Sequence, residues 1–388
     1  METAGIPVYD GLHHGFLPHG LVYGNPADAG LDAERLAVAM DVLAAEIQTE
    51  RLSGAVAVVA RSGVVAAHRA LGWAQARPKA ERRPMELDTV FDLASLTKVM
   101  ATLPSVLLLL ERGAFRLDDR LYSFFPEFTG NGKEEVRIRQ LLTHTAGLAE
   151  WLPLQQEAGT RPELIDRIVQ APLKAAPGSQ VIYSDLGFIL LGELVAKVSG
   201  QPLDQFARQQ VFQPLDLPTA GFNPPAGLRS QCAATEYREY LGRYQVGEVH
   251  DERATALGGV AGHAGLFATA VEVAAYGQMW LRVGAAGLPP VLAPATLAAA
   301  TRVLTPGLAD GRGLGWIVLR PGDEFMSCGD LFSPGSFGHT GFTGTSLWMD
   351  PARQLVVALL TNNVHFGRSD VTIRLRPRFH NAVMAAVR

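Results

Sequence analysis

The chain has 388 residues, 48% of them hydrophobic, with 19% charged residues and a formal net charge of −4. That suffices for a large buried core, arranged as two or three compact units or as one large domain with an insertion. The slightly acidic balance leaves no basic stripe, so nucleic acid is not an expected partner. Cys232 and Cys328 have no metal-type spacing and form no disulfide framework, and whether they pair stays open.

Residues 1–30 are rich in Gly, Pro and His and read as an irregular N-terminal arm. They show no basic and apolar leader pattern, so a cytoplasmic protein is expected, with a trimmed leader as the alternative. His13, His14 and His19 have only Asp10 nearby and read as surface-loop residues. Asp32 caps a helix with Leu36, Met40, Leu43 and Ile47 on one face. Apolar runs over 54–60 and 64–70 flank Arg61-Ser62-Gly63 and predict a hairpin. A polar loop from Arg77 to Arg83 leads towards Ser95. A helix over 95–112 stops at Gly113, and Pro104 inside it should kink or break it.

From there to about residue 300 the chain reads as mostly helical with loops. An apolar helix over 186–198 is closed by Gly200. Thr269-Ala270-Val271-Glu272 is a capping box opening a helix through Leu281. A further helix spans 293–303. Strands return over 314–319, 345–349 and 354–361, and 371–387 reads as helix despite Pro377. The most apolar run, 106–110, is far too short to cross a bilayer. The architecture expected is α/β (α+β). An antiparallel sheet flanked by helices is built from both termini (31–94 and 310–388), with a mostly helical region (95–309) inserted in one 31–388 domain. Ser95 lies at the junction, where clefts form.

Three stretches carry chemistry. In Ser95-Leu96-Thr97-Lys98 the i, i+3 spacing puts a hydroxyl and an amine on one helix face, at an N-terminus that favours developing negative charge. With 14 serines and five lysines, chance gives about 0.2 such matches. The alternative is an N-cap serine followed by an exposed lysine. Tyr183-Ser184-Asp185 stands at the entrance of the 186–198 helix, where a phenol near an ammonium can take or return a proton; a packing tyrosine before helix caps is the alternative. In Phe337-Gly338-His339-Thr340-Gly341-Phe342-Thr343-Gly344-Thr345 the glycines let backbone approach a ligand, or simply form a hairpin turn.

In this order the three stretches resemble the serine β-lactamase and penicillin-binding protein superfamily, nearest its class C branch with esterase and DD-peptidase relatives. Leu117-Asp118-Asp119, 141–148 and 258–267 are similar to family stretches as well, and the likeness runs from about residue 30 to 381. The resemblance implies Ser95 as the acylated nucleophile, with Lys98 and Tyr183 sharing its proton. It implies an oxyanion hole from the backbone N–H groups of Ser95 and Phe342, and a substrate-binding wall of Asp185, His339, Thr340 and Gly341. It implies no metal and no cofactor, and a small ester, amide or peptide substrate. It fixes no oligomeric state.

Two positions depart from the β-lactamase pattern, which has Asn at 185 and Lys at 339. Asp185 has no amide N–H to offer, and either pairs with Lys98, raising its pKa, or only caps its helix. His339 is largely neutral near pH 7 and binds a carboxylate more weakly than lysine, although histidine also occurs here in DD-peptidase relatives. Both departures favour ester or D-amino-acid amide hydrolysis over penicillin turnover. His144 and His263 read as buried hydrogen-bonding histidines, and His250-Asp251-Glu252 as an ordered loop near the cleft mouth. Trp151 edges the cleft or packs under a loop. No serine has the Gly-x-Ser-x-Gly context of an α/β-hydrolase. The alternative from another class is a slowly acylating module that binds penicillin or muropeptide.

Overall fold

The two ends of the chain meet in one sheet. Gly54–Arg61 pairs antiparallel with Leu355–Thr361, from Ala55 opposite Thr361 to Arg61 opposite Leu355. The computed structural model describes residues 6–11, 17–18, 20–156, 159–281, 291–324 and 326–388. His13, His14 and His19 lie outside the described residues. The sheet runs in the order Val8–Asp10, Val64–Gln75, Gly54–Arg61, Leu355–Thr361, Ser346–Asp350, Phe337–Thr340 and Ile317–Val318. Val22–Tyr23 and Arg83–Pro84 also pair with Val64–Gln75.

Side-chain alternation explains the unbroken apolar runs. Val56, Val58, Ala60, Val356, Ala358 and Leu360 face one core. Ala55, Ala57, Val59, Leu355, Val357 and Leu359 face the other. Both faces are covered, so alternation in space leaves no polar residue in sequence. The helices Ala33–Gln48 and Val371–Ala385 close the second face and pack on each other. The helix Ala270–Leu281, buried along its whole length, covers the first. The expected antiparallel sheet, flanked by helices and built from both ends, is what forms.

Several local expectations change. The N-terminal arm is not wholly irregular: Val8–Asp10 and Val22–Tyr23 add strands to Val64–Gln75, the second in parallel. The inserted region also carries strands. Leu266–Thr269 and Gly221–Phe222 form a small sheet with Val90–Asp92, which lies just ahead of that region, and Ala234–Arg238 pairs with Arg243–Val246. The 314–319 run keeps only Ile317–Val318 as strand, because Gly315 turns left-handed at φ 74. The helix after Ser95 is not broken at Pro104. Over Lys98–Thr102 it widens into a π turn in which the Leu103 N–H bonds the Lys98 carbonyl, and the α-helix Leu103–Glu111 follows. Proline removes a donor and crowds the carbonyl four residues back, and the wider turn absorbs both. The capping box forms as expected between Thr269 and Glu272. Cys232 and Cys328 are both free and buried, and burial pushes each thiol up to about 12.

The helix Ala270–Leu281 approaches the sheet closely through Gly277, where a Cβ would stand 2.7 Å from Val356 Cγ1 and 2.9 Å from Leu347 Cδ1. Alanine gains about 1 kcal/mol of helix propensity over glycine, but overpacking costs about 1–3 kcal/mol. Gly277→Ala should therefore lower stability, read as a lower urea midpoint at unchanged m-value.

Candidate active site

Ser95 is set at the seam between the sheet and the inserted helices. The strand Val90–Asp92 ends one turn before it, and Ala94 takes a left-handed φ of 46. A non-glycine residue there stores strain, which the surroundings must hold. Buried Asp92 does part of this, accepting the Ala94 N–H at 2.9 Å and the His250 N–H at 2.6 Å. The turn after Phe337–Thr340 does the rest. Thr343 Oγ1 donates to the Asp92 carbonyl at 2.7 Å, and Thr345 Oγ1 to the Leu93 carbonyl at 3.0 Å. Gly341 lies so close that a Cβ would stand 2.4 Å from the Leu93 carbonyl oxygen. Among the described residues, neither the Ser95 nor the Phe342 N–H donates to a backbone carbonyl.

Lys98 is fully buried. Its Nζ lies 2.9 Å from Ser95 Oγ, 2.8 Å from Asp185 Oδ1 and 3.2 Å from the His263 carbonyl oxygen. An ammonium has three N–H groups, and these three acceptors use them all. Burial works against the charge, but Asp185 and then Tyr183 outweigh it and hold the lysine above its ordinary pKa. The Tyr183 ring lies under Nζ at 4.9 Å. Burial favours the neutral form of Asp185 as well, yet Lys98, His263 and Arg253 hold its carboxyl below the usual range. The Tyr183-Ser184-Asp185 stretch is pinned by its own backbone. The Ser184 N–H donates to His144 Nδ1 at 3.0 Å, the Ser184 hydroxyl to the Ala149 carbonyl at 2.6 Å, and the Asp185 N–H to the Glu150 carbonyl at 2.8 Å. Ser184 is the N-cap of Asp185–Ser199, so Asp185 does not merely cap the helix but pairs with Lys98.

The third stretch closes the other side. His339 is buried with its ring 5.9 Å from that of Tyr183, and Nδ1 lies 2.8 Å from the Thr340 carbonyl oxygen. Burial, then the charges of Lys98 and Arg312, push its pKa down to about 3, so it is neutral. Thr340 is half-buried at the strand end, and the Phe342 ring is exposed and stacked 5.7 Å from His250. The three motifs, remote in sequence, thus meet through Lys98 and Tyr183.

A family model described as Beta-lactamase matches residues 39–379. The chain belongs to the Beta-lactamase family. A putative D-alanyl-D-alanine carboxypeptidase of Escherichia coli (strain K12) is 34% identical over 310 residues, covering 73% of this chain and 71% of that one. An N-acetylmuramyl-L-alanine amidase of Bacillus subtilis (strain 168) is 33% identical over 347 residues, covering 80% and 77%. Among solved structures, EstCE1, a hydrolase with promiscuous acyltransferase activity, is 26% identical with a TM-score of 0.73, covering 90% of this chain and 99% of that one. A penicillin-binding protein homologue from Caulobacter crescentus shares the fold at 22% identity and a TM-score of 0.69, over 91% and 99% of the two chains. As a Beta-lactamase-family member with these relatives, the chain is a serine hydrolase.

Against the family motifs, sequence reasoning overlooked two arginines. Arg253 reaches Asp185 Oδ2 at 3.1 Å and Asp251 at 2.6 Å, and His263 Nε2 lies 3.0 Å from Asp251. The only local signal was a charged run ahead of paired glycines. Asp185, Asp251 and His263 have ligand-type atoms within 4.8 Å of one another, but both carboxylates already hold cationic side chains. Arg253 also sits 5.8 Å over the ring of exposed Trp151, which therefore edges the cleft. Arg312, flanked by Gly311 and Gly313, lies 5.8 Å from the Tyr183 ring. It is buried and bonded to Asp310 through Nη2, while Nε and Nη1 have no partner.

Removing one partner of a buried ion pair costs about 3–5 kcal/mol, so Asp185→Asn should lower stability by that order near neutral pH. The folded-state pKa of Lys98 is raised, so the stabilisation is complete below the unfolded lysine value and fades as pH climbs through the folded one. Urea unfolding of both proteins in neutral and alkaline buffer should show the difference shrinking as pH rises.

Proposed function

We propose that the chain hydrolyses an ester or amide bond of a small acyl substrate through an acyl-enzyme on Ser95. The observation that carries this is the 2.9 Å contact between Ser95 Oγ and the Nζ of buried Lys98. Ser95 Oγ bonds to the acyl carbon, and the carbonyl oxygen takes the negative charge, facing the N–H groups of Ser95 and Phe342. Lys98, charged at rest, steadies the serine oxygen as it becomes an alkoxide. Because Lys98 is already an ammonium, it takes the serine proton only as it hands one of its own to the Tyr183 oxygen, whose hydroxyl proton in turn goes to the leaving oxygen or nitrogen as its bond to carbon breaks. Water then adds to the acyl-serine by the same route, releasing the acid and restoring the hydroxyl.

For the substrate, Arg312 is the decisive residue. His339 is neutral and offers no positive charge to an anion. Arg312 holds two unpartnered donor atoms near the Tyr183 ring, and a buried guanidinium with unmet donors is costly unless an anion completes it. This supports a substrate with a free carboxylate near the scissile bond, a D-amino-acid peptide above a simple ester. The name of the D-alanyl-D-alanine carboxypeptidase relative points the same way, while that of the amidase relative points only to an amide bond.

Incubation with a fluorophosphonate or p-nitrophenyl butyrate should give a one-to-one adduct by intact mass, absent in Ser95→Ala. Folded protein that never forms one sinks the nucleophile assignment, and an adduct without turnover favours a binding module. Lys98→Ala should lose about 10²–10⁴-fold in kcat/KM while its circular dichroism stays native. Arg312→Gln should cost about 10–100-fold in kcat/KM on a D-alanyl-D-alanine peptide, the worth of a charge-assisted hydrogen bond, and much less on p-nitrophenyl butyrate. Equal losses on both substrates would remove Arg312 from carboxylate recognition.

A further inference from the structure

Five groups in a row alternate in character across the cleft floor. Lys98 bonds Asp185 at 2.8 Å, Asp185 bonds Arg253 at 3.1 Å, Arg253 bonds Asp251 at 2.6 Å, and Asp251 meets His263 at 3.0 Å. The row closes on itself, because the His263 carbonyl accepts from Lys98 Nζ. Each carboxylate is shared between two partners, and the bonds to Asp185 use different oxygens, Oδ1 for Lys98 and Oδ2 for Arg253. Asp251 is fixed as the N-cap of Glu252–Ala256, accepting the N–H groups of Arg253 and Ala254. The neighbouring Glu252 is turned away and pairs with Arg238 and Arg368.

We propose that Arg253 is a positioning residue for the acyl-transfer step, sharing Asp185 so that this carboxylate does not bind Lys98 with its full charge, while Asp251 and His263 anchor it. The proposal rests on the assignment of Ser95 and Lys98 given above. An unshared aspartate beside a buried lysine would lock the proton on Nζ, which opposes any step in which Lys98 gives it up. A cation on the far oxygen withdraws part of that charge. The second carboxylate, Asp251, limits how much Arg253 withdraws. The remaining groups around Lys98 are Tyr183 beneath it and, against that ring, His144, His339 and Arg312. His144 and His339 are neutral, held down first by burial, and none of the four changes in the variants below.

The two ends of the row give opposite signs. Arg253→Met leaves Asp185 to Lys98 alone, so Lys98 should titrate at higher pH, by on the order of one unit. Asp251→Asn releases Arg253 wholly onto Asp185, so Lys98 should titrate lower. Arg253→Lys should fall between wild type and Arg253→Met. The measurement is a pH titration by NMR with lysine labelled at 13Cε. The chain has five lysines, and the Lys98 signal is the one lost in Lys98→Ala. The pH profile of kcat/KM for p-nitrophenyl butyrate, taken alongside, should move its Lys98-dependent limb in the same sense, with kcat changed more than KM. A role confined to holding the loop would lower thermal stability and leave the Lys98 titration in place. Unmoved titrations, or shifts of one sign in both variants, overturn the proposal. Should Arg253→Met fail to fold, the downward shift in Asp251→Asn decides alone. Failure of wild type to label at Ser95 would instead overturn the assignment beneath it.

Discussion

A lysine ammonium with no solvent exposure is the constraint around which this molecule is arranged. Taking such an ion out of water costs several kcal/mol even after relaxation. That cost is met only if every N–H finds an acceptor and a counter-charge stands close. No single element can supply this. Ser95 comes from the turn before the helix, Asp185 from the start of another helix, and the third acceptor from the backbone of His263. The helix, the Asp185–Ser199 entrance and the loop before Leu266–Thr269 must converge for the charge to be tolerated. Ser95 Oγ therefore sits beside a fixed cation because the fold is stable only in that arrangement.

The seam between sheet and helices is held by a second set of polar contacts. Thr343 and Thr345 reach from the sheet-side turn to the carbonyls of Asp92 and Leu93. Arg376, from the closing helix, donates to the carbonyls of Gly341 and Thr345 and steadies the same turn from behind. The strained Ala94 is thus braced from both sides. The glycines of this stretch have a steric purpose as well as a conformational one: a side chain at 341 would strike the backbone that carries Ser95, and one at 338 would strike Trp348.

What the sequence disclosed and what it hid follow the range of the interactions. The hairpin, the Asp32 cap, the Thr269–Glu272 box and the Ser95–Lys98 spacing depend on residues within a few positions of each other, and all are legible. So is the sheet made from both termini, because its strands are long and apolar. The strands Val8–Asp10, Val22–Tyr23 and Gly221–Phe222 are two or three residues long and exist only through partners far away in the chain. No periodicity can announce them. Arg253 and Arg312 were hidden for a related reason. Nothing local distinguishes an arginine that will be buried from the many that face water, and its role is set by Asp185, Asp251 or Tyr183 arriving from elsewhere.

The two departures from the lactamase pattern make sense as one redistribution of charge. An aspartate in place of an amide brings a negative charge against Lys98, and a second cation, Arg253, takes up its other oxygen. A histidine in place of a lysine removes a positive charge from the sheet wall, since a fully buried imidazole flanked by Lys98 and Arg312 does not hold a proton. Arg312 brings a positive charge to the same ring from a different segment, with its Nε and Nη1 still unmet. Tyr183 then lies close to two cations, Lys98 at 4.9 Å and Arg312 at 5.8 Å from its ring. Positive charge is thereby moved from the strand to the neighbourhood of the phenol.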